Sequence, residues 1–327
     1  MMRKSVPEAT GSFRVPLSMV GTKVKKSFFK RFAENFELLL LTLPALLCFL
    51  IFHYLPMFGV IIAFKDFNYE KGIFGSDWNG LKNFEFFFTS QDAWRITRNT
   101  IGYSIAFMVT GTIAAIFVAL LLFEIRNKLA LKVYQTVIIL PRFLSWVVIG
   151  FITYIMLNPV SGIFNQILKV FGAEGIQWYS KPEYWPILLI VVNIWNGVGM
   201  GSIVYYASLM GIDSSLYEAA EIDGAGRWKQ IWNISIPSLI PLIVVLNILA
   251  VGNIFRGDFG MFYNIPRDVG MLYSTTDIID TYVFRGLRTG DIGMSSAVGF
   301  FQSFVGLVLV YATNITVKKF SPENALF

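Results

Sequence analysis

The chain has 327 residues, 55% hydrophobic and 15% charged, against about 25% charged in an ordinary soluble domain. One cysteine (Cys48) and one histidine (His53) exclude an intrachain disulfide and leave no Cys and His set for zinc. The net charge of +6 is concentrated in residues 1–37, with eight Lys or Arg against three acids. A basic segment directly before an apolar run points to a membrane flank near anionic lipid rather than to nucleic acid.

That run is too long for a signal peptide and has no small-residue cleavage site after it, so it reads as a retained anchor. A bilayer core of about 30 Å needs about 20 helical residues. Six stretches qualify: 38–64, 102–123, 134–157, 185–210, 235–255 and 295–317. Lipid offers no partner to backbone N–H and C=O groups, so the expected fold class is an all-α integral membrane protein with six spanning helices. Prolines inside these runs (Pro44, Pro56, Pro141, Pro237, Pro241) are expected to kink helices within a packed bundle. The even-numbered turns place 15 Lys or Arg against 9 acids on the side of the N-terminus, and 11 against 12 on the other. The bias predicts both termini inside. Trp178, Tyr179, Tyr184 and Trp185 form an aromatic belt where the chain re-enters the bilayer.

The inner segment 211–234 is unusually polar, with four acids and two bases. Ser215 followed by Glu218 has the spacing of a capping box, so a helix is expected to start there and run through Ala219 and Ala220. Gly224 is placed to end it, because positive φ costs glycine little. A second helix is expected from Gly226, with Trp228, Ile231 and Trp232 on one face. The two alanines permit a close approach, while Glu218, Glu221 and Asp223 offer acids to a basic partner. An ordinary, well-capped loop fits these residues equally well.

The stretch "EAAEIDGAGRWKQIWNISIP" resembles the EAA loop of ATP-binding-cassette importer permeases: Glu218-Ala219-Ala220, then Gly224, then Ile234-Ser235-Ile236-Pro237, with Ile236 where leucine is usual. "FHYLPMFGVIIAFKDFNY", "GLKNFEFFF" and "VGMLYSTTDIIDTYVFRGLRTGDIGMSSAVG" resemble the carbohydrate-uptake branch, especially oligosaccharide importers of Gram-positive bacteria. The resemblance covers the chain from residue 38 onward and implies the type I importer permease fold. It implies a multi-pass subunit of a bacterial plasma membrane, with domain 38–327 as the permease and 211–234 as its coupling loop. Glu218, Ala219, Ala220, Asp223 and Gly224 would then couple to a separate ATPase. Expected partners are a second permease subunit, two ATPase subunits, an extracellular sugar-binding lipoprotein, a carbohydrate substrate and membrane lipid, with no nucleic acid.

No G-x-x-x-x-G-K-[ST] motif occurs, so ATP and its Mg are expected on partner subunits, with no cofactor in this chain and no enzyme activity of its own. "GVGMGS" at 197–202 lies within a span, where small residues serve close helix contact. His53 reads as a packed residue, and no midplane acid marks a proton path; only Arg142 approaches a span interior. Asn193, Asn196, Gly197 and Met200 recur at i, i+3, i+4 and i+7 on the fourth span, Asn247 and Asn253 fall on the fifth, and Gln302 on the sixth. Amides in lipid need partners, and they serve either as interhelical glue or as ligands for sugar hydroxyls. The resemblance favours a substrate-binding set of Asn193, Asn196, Gly197, Met200 and Asn253: Asn193 and Gly197 match an N-x-x-x-G pattern, Asn196 and Met200 occupy neighbouring pocket positions but differ in type, and Asn253 falls near a corresponding asparagine with Arg256 replacing another polar residue close by. The alternatives are an ion-coupled secondary carrier, or a permease half that plays a structural role without touching sugar.

Overall fold

The computed structural model describes residues 36–320; of the basic segment 1–37, only Phe36 and Glu37 lie within them. By its contacts the chain divides into two units, Met1–Phe58 and Gly59–Phe327. In the first, α1 (Phe36–Phe49) carries Pro44 inside it and runs into a widened turn, Leu50–Tyr54. There the Leu55 N–H bonds back to Leu50 O, five residues earlier, one residue before Pro56. Proline lacks the N–H that a regular turn would use, and an i→i+5 turn lets the helix absorb that loss. The His53 ring lies 4.8 Å from that of Phe49.

The second unit opens with a two-residue antiparallel pair, β1 (Lys65–Asp66) and β2 (Asp77–Trp78), in register Lys65↔Trp78. After α2 (Lys82–Thr89), Ser90 caps α3 (Gln91–Phe123) by accepting from the Ala93 N–H. At about 1.5 Å per residue, the 33 residues of α3 reach well beyond a 30 Å core. Its first 11 positions precede the apolar stretch read from the sequence, and they form a shaft outside it.

The third span departs from expectation. In place of one helix over 134–157, α4 (Lys128–Ile139) passes through a tight turn, Leu140–Phe143, into α5 (Trp146–Met156), and the two halves meet at 96°. Pro141 stops the first half, and the Ser145 hydroxyl, accepting from the Val148 N–H, starts the second. Next come α6 (Ile163–Val170) and α7 (Trp185–Met210), then α8 (Ser214–Ile222). The fifth span starts earlier than expected, at Arg227 rather than 235. A short turn, Arg227–Gln230, continues through a second widened turn, Ile231–Ser235, into α9 (Ile236–Val251). The Ile236 N–H reaches Ile231 O, again one residue before a proline, Pro237. Finally α10 (Phe259–Asn264), α11 (Ile279–Thr289) and α12 (Ile292–Phe320) complete the described chain. Among the described residues, five helices are long and apolar enough to cross a membrane, and six if the bent pair counts as one.

Within the second unit, three cores hold the helices. Ala115, Ala119, Tyr205, Leu209 and Leu239 join α3, α7 and α9. Tyr103, Ile149, Trp185, Leu189 and Phe262 join the opposite ends of α3 and α7 to α5 and α10. Phe87, Ile96, Ile279, Met294 and Val298 join α2 and α3 to α11 and α12. Glycine permits the tightest crossing: a Cβ on Gly199 would stand 2.2 Å from Ile138 O. Much of the remaining apolar surface faces outward, such as Ile113 and Phe117 on α3 and Leu307 on α12, as lipid or a membrane partner requires.

Candidate coupling loop and translocation cavities

The polar loop folds as the capped helix α8 and, as expected, a second helical stretch that starts after Gly226 and runs on into the fifth span. Asp213, not Ser215, is the N-cap of α8: its carboxylate accepts from the Ser215 N–H at 3.0 Å. That bond holds the Asp213 carboxyl below the usual carboxylate range. The expected Ser215–Glu218 box is displaced by an acid two positions upstream that also complements the helix dipole. At the other end Gly224 adopts φ +74°. The Ala225 N–H bonds Ala220 O at 2.8 Å and the Gly224 N–H bonds Glu221 O at 3.0 Å, which is a Schellman closure. Glu218, Ala219, Asp223 and Gly224 are exposed and Ala220 is half-buried.

Three attachments fix this helix to the span that follows. The Tyr217 hydroxyl and Ser235 Oγ lie 2.9 Å apart, and Gln230 Nε2 donates to Ala225 O at 3.2 Å. Arg227 stands between Glu221 and Glu124, at 3.9 and 3.8 Å. The Phe123 ring, at the end of α3, rests against Tyr217. Around this frame, Leu216, Ile222, Trp228 and Trp232 remain exposed. The aromatic face read from the sequence is present, and it points away from the chain's own core. The element is a rigidly mounted apolar knob with acids beside it.

The polar residues of α7 separate into different environments. Asn193 and Gly197 line one cavity of about 240 Å³, together with Gly111 and Thr112 on α3 and Gly201 and Tyr205 on α7. Positions 193, 197, 201 and 205 form a strict i+4 series, a signal in the sequence that could have found Gly201 and Tyr205 as well. Asn196 is not in this cavity. It is buried, its Nδ2 donates to Pro141 O at 2.9 Å, and its Oδ1 accepts from Arg142 at 3.0 Å. It therefore supplies partners to the backbone and cation exposed by the broken third span. Met200 is exposed. Asn253 stands beyond the end of α9, in a turn, and lines a second cavity of about 160 Å³ with Arg256, Gln302 and Ser303. Asn247 instead donates to Ile243 O on its own helix.

On the far side of the bundle, residues 256–294 are knotted to the shaft of α3. The Asp277 carboxylate is fully buried and receives Arg95 at 2.9 Å and Arg285 at 2.6 Å. Asn99 Nδ2 donates to Asp277 O, and the Tyr103 hydroxyl donates to Thr275 O. Arg285 also meets Asp268, which accepts from the Tyr273 hydroxyl. Composition did not reveal this network, since its centre joins Arg95 to Asp277 across 182 positions. Among the described residues no group of three His, Cys, Asp or Glu is placed to hold a metal ion.

Known proteins resemble this chain in sequence and fold. The family model for binding-protein-dependent transport system inner membrane components matches residues 111–322. Protein LplB of Bacillus subtilis (strain 168) is 37% identical over 288 residues, 88% of this chain and 90% of its own. The polygalacturonan/rhamnogalacturonan transport system permease protein YteP of the same organism is 37% identical over 303 residues, 92% of this chain and 94% of its own. A chain in the crystal structure of a bacterial ABC transporter involved in the import of the acidic polysaccharide alginate superposes with a TM-score of 0.81 at 32% identity, covering 90% of this chain and 99% of that one. With this family match over most of the chain and these whole-length likenesses, the protein belongs to the binding-protein-dependent transport system inner membrane components, as a permease of the ABC importer type.

Proposed function

We propose that this permease forms one half of a heterodimer that carries a sugar or oligosaccharide inward by alternating access. Two ATPase subunits bind on the cytoplasmic side, where both termini also lie, and a sugar-binding lipoprotein docks outside. ATP and Mg reside on the ATPase subunits, so this chain itself catalyses nothing. The reading is supported by relatives whose names include a polygalacturonan/rhamnogalacturonan permease and by a solved neighbour crystallised in complex with an alginate pentasaccharide-bound periplasmic protein.

The observation that carries it is the mounting of α8. A helix closed by Gly224 and bonded to the fifth span through Tyr217 and Ser235 moves that span whenever it is pushed. Its exposed Leu216 and Ile222 supply the apolar contact, with Glu218 and Asp223 as acids for a basic groove. When ATP closes the ATPase dimer, the push passes from α8 through the Tyr217–Ser235 contact into α9, and the cavities open outward. Asn193, with Gly197 leaving room beside it, and Asn253 then offer amides to sugar hydroxyls; Asn196 holds the third span and acts on sugar only through that scaffold, and exposed Met200 offers an apolar contact to a ring face.

Purification of the tagged chain from its native membrane, with mass spectrometry of what accompanies it, tests the assembly. A stoichiometric ATPase and a second multi-span protein are expected; a chain recovered alone in several detergents overturns the proposal. In the reconstituted complex, Asn193→Ala with Asn253→Ala is expected to abolish sugar-stimulated ATP turnover while basal turnover persists. Unchanged stimulation would assign the sugar to the partner half.

A further inference from the structure

The 256–294 segment contains five acids and four arginines, and nearly all of them are committed to the fold. Asp268 and Asp277 take Arg285, and Asp277 also takes Arg95. Asp258 and Asp291 cap helices by accepting from the Met261 and Met294 N–H groups. Asp280 Oδ2 accepts from the Gly257 N–H at 2.8 Å and from Gln302 at 3.2 Å. Of the arginines, Arg267 lies over the Tyr154 ring, and Arg288 over Phe284 while bonding the Tyr263 hydroxyl. Arg256 is left. Among the described residues its guanidinium makes no hydrogen bond and no ion pair, although it is near enough to influence Asp280.

Its position decides what it is for. Arg256 lines the cavity of about 160 Å³ that also contains Asn253, Gln302 and Ser303, with Phe255 and Leu307 as apolar walls. At about 30 Å³ per liquid water, that space takes a single sugar ring rather than a folded chain. Gln302 is already engaged with Phe255 O and Asp280, and Asn253 Nδ2 donates to Leu249 O at 3.2 Å, so the free capacity belongs to the Asn253 side-chain carbonyl, Ser303 and Arg256. Gly306 leaves the floor open, with nothing within 4 Å of where a Cβ would stand.

We infer that Arg256 reads a carboxylate: the Asn253 cavity takes a uronate residue of an acidic oligosaccharide, with the guanidinium on its carboxylate, Asn253 and Ser303 on its hydroxyls, and Phe255 beside its ring. A planar guanidinium can hold a carboxylate through two parallel bonds, and aromatic walls suit the apolar faces of a sugar ring. This inference rests on the importer reading and narrows its substrate.

The test is direct binding to the purified transporter complex without its binding protein, so that only the membrane site selects. The probes are tritiated tetragalacturonate and tetramannuronate and their methyl esters. The intact complex is expected to bind at least one acid about ten- to a hundredfold more tightly than its ester. Arg256→Gln should erase that margin by weakening the acid alone, and Arg256→Lys should keep part of it. Equal binding of acid and ester, or a margin that survives Arg256→Gln, overturns the assignment while leaving the importer intact. Loss of co-purifying anionic lipid in Arg256→Gln, with sugar binding unchanged, would assign the cation to a headgroup and also overturn it. If no probe binds, the uronate assignment is overturned, while the importer reading is decided separately by the co-purifying ATPase and second permease.

Discussion

The segment between the fourth and fifth spans and the one between the fifth and sixth solve opposite problems. The 211–234 loop is ordered by contacts close in sequence: a cap at Asp213, a glycine turn at Gly224, and the Tyr217–Ser235 and Gln230–Ala225 bonds. It leaves tryptophans and aliphatic side chains exposed. Residues 256–294 are ordered by bonds to α3 across more than 170 positions, centred on a buried carboxylate. One is a surface waiting for a partner, and the other is complete within the chain. Local order suits an element that must transmit force as a unit, whereas a long-range charged knot suits a platform that must not move.

Breaking the knot should have the largest effect. Asp277→Ala leaves Arg95 with Asp92 and Arg285 with Asp268 but removes the buried carboxylate that joins them, and loss of one partner from a buried ion pair costs up to about 3–5 kcal/mol. Thermal unfolding in detergent should show a marked fall; a melting curve like the parent's would mean that the platform is held by packing alone. Gly224→Asp places a side chain at φ +74°, where an L-residue costs about 1–2 kcal/mol. Because the strain lies at a helix end, global melting should be nearly unchanged while coupled uptake falls about tenfold or more. Wild-type uptake by this variant would remove α8 from the drive train. Tyr217→Phe deletes one hydroxyl contact worth about 1 kcal/mol, and should lower the ATP-to-sugar coupling ratio without changing ATPase recovery.

The smallest effect concerns Asp280, whose carboxyl is raised by burial despite the Gly257 and Gln302 donors. The folded protein therefore holds that proton more tightly than the unfolded chain. Its contribution to stability is present below the unfolded value of about 3.9 and is lost as pH rises through the folded value. Asp280→Asn mimics the protonated form and should match or slightly exceed the parent's melting temperature at neutral pH, with the difference shrinking towards acid. A variant that is clearly less stable at neutral pH would show that the charge itself is needed.

Much of this was legible in the sequence, because each legible part depends on near neighbours. Apolar runs of bilayer length gave the spans, and an EAA-type loop with Gly224 gave the turn. Where the reading failed, the deciding contact came from elsewhere in the chain. Pro141 read as a tolerated kink, yet Pro141 followed by the cap residue Ser145 is a stop and a restart, and Asn196 on another helix makes the 96° break affordable. Periodicity placed Asn193 and Asn196 on one face; it could not say that the Leu140–Phe143 turn would claim the second. The fifth span begins early because a widened turn, Ile231–Ser235, joins the helical stretch from Arg227 to the helix in which Pro237 was expected only to make a kink. Arg95 had no legible link to Asp277, since charged partners 182 positions apart carry no spacing rule.

The broken third span also constrains how the protein is made. Its two parts, Lys128–Phe143 and Trp146–Met156, rise about 24 and 16 Å at 1.5 Å per residue, and neither crosses a 30 Å core alone. Pro141 O accepts from the Leu144 N–H inside the turn and from the Asn196 amide of α7, so part of the bend's bonding is supplied by a helix that follows it in the chain. The third span therefore reaches its final bonding only when α7 has packed beside it.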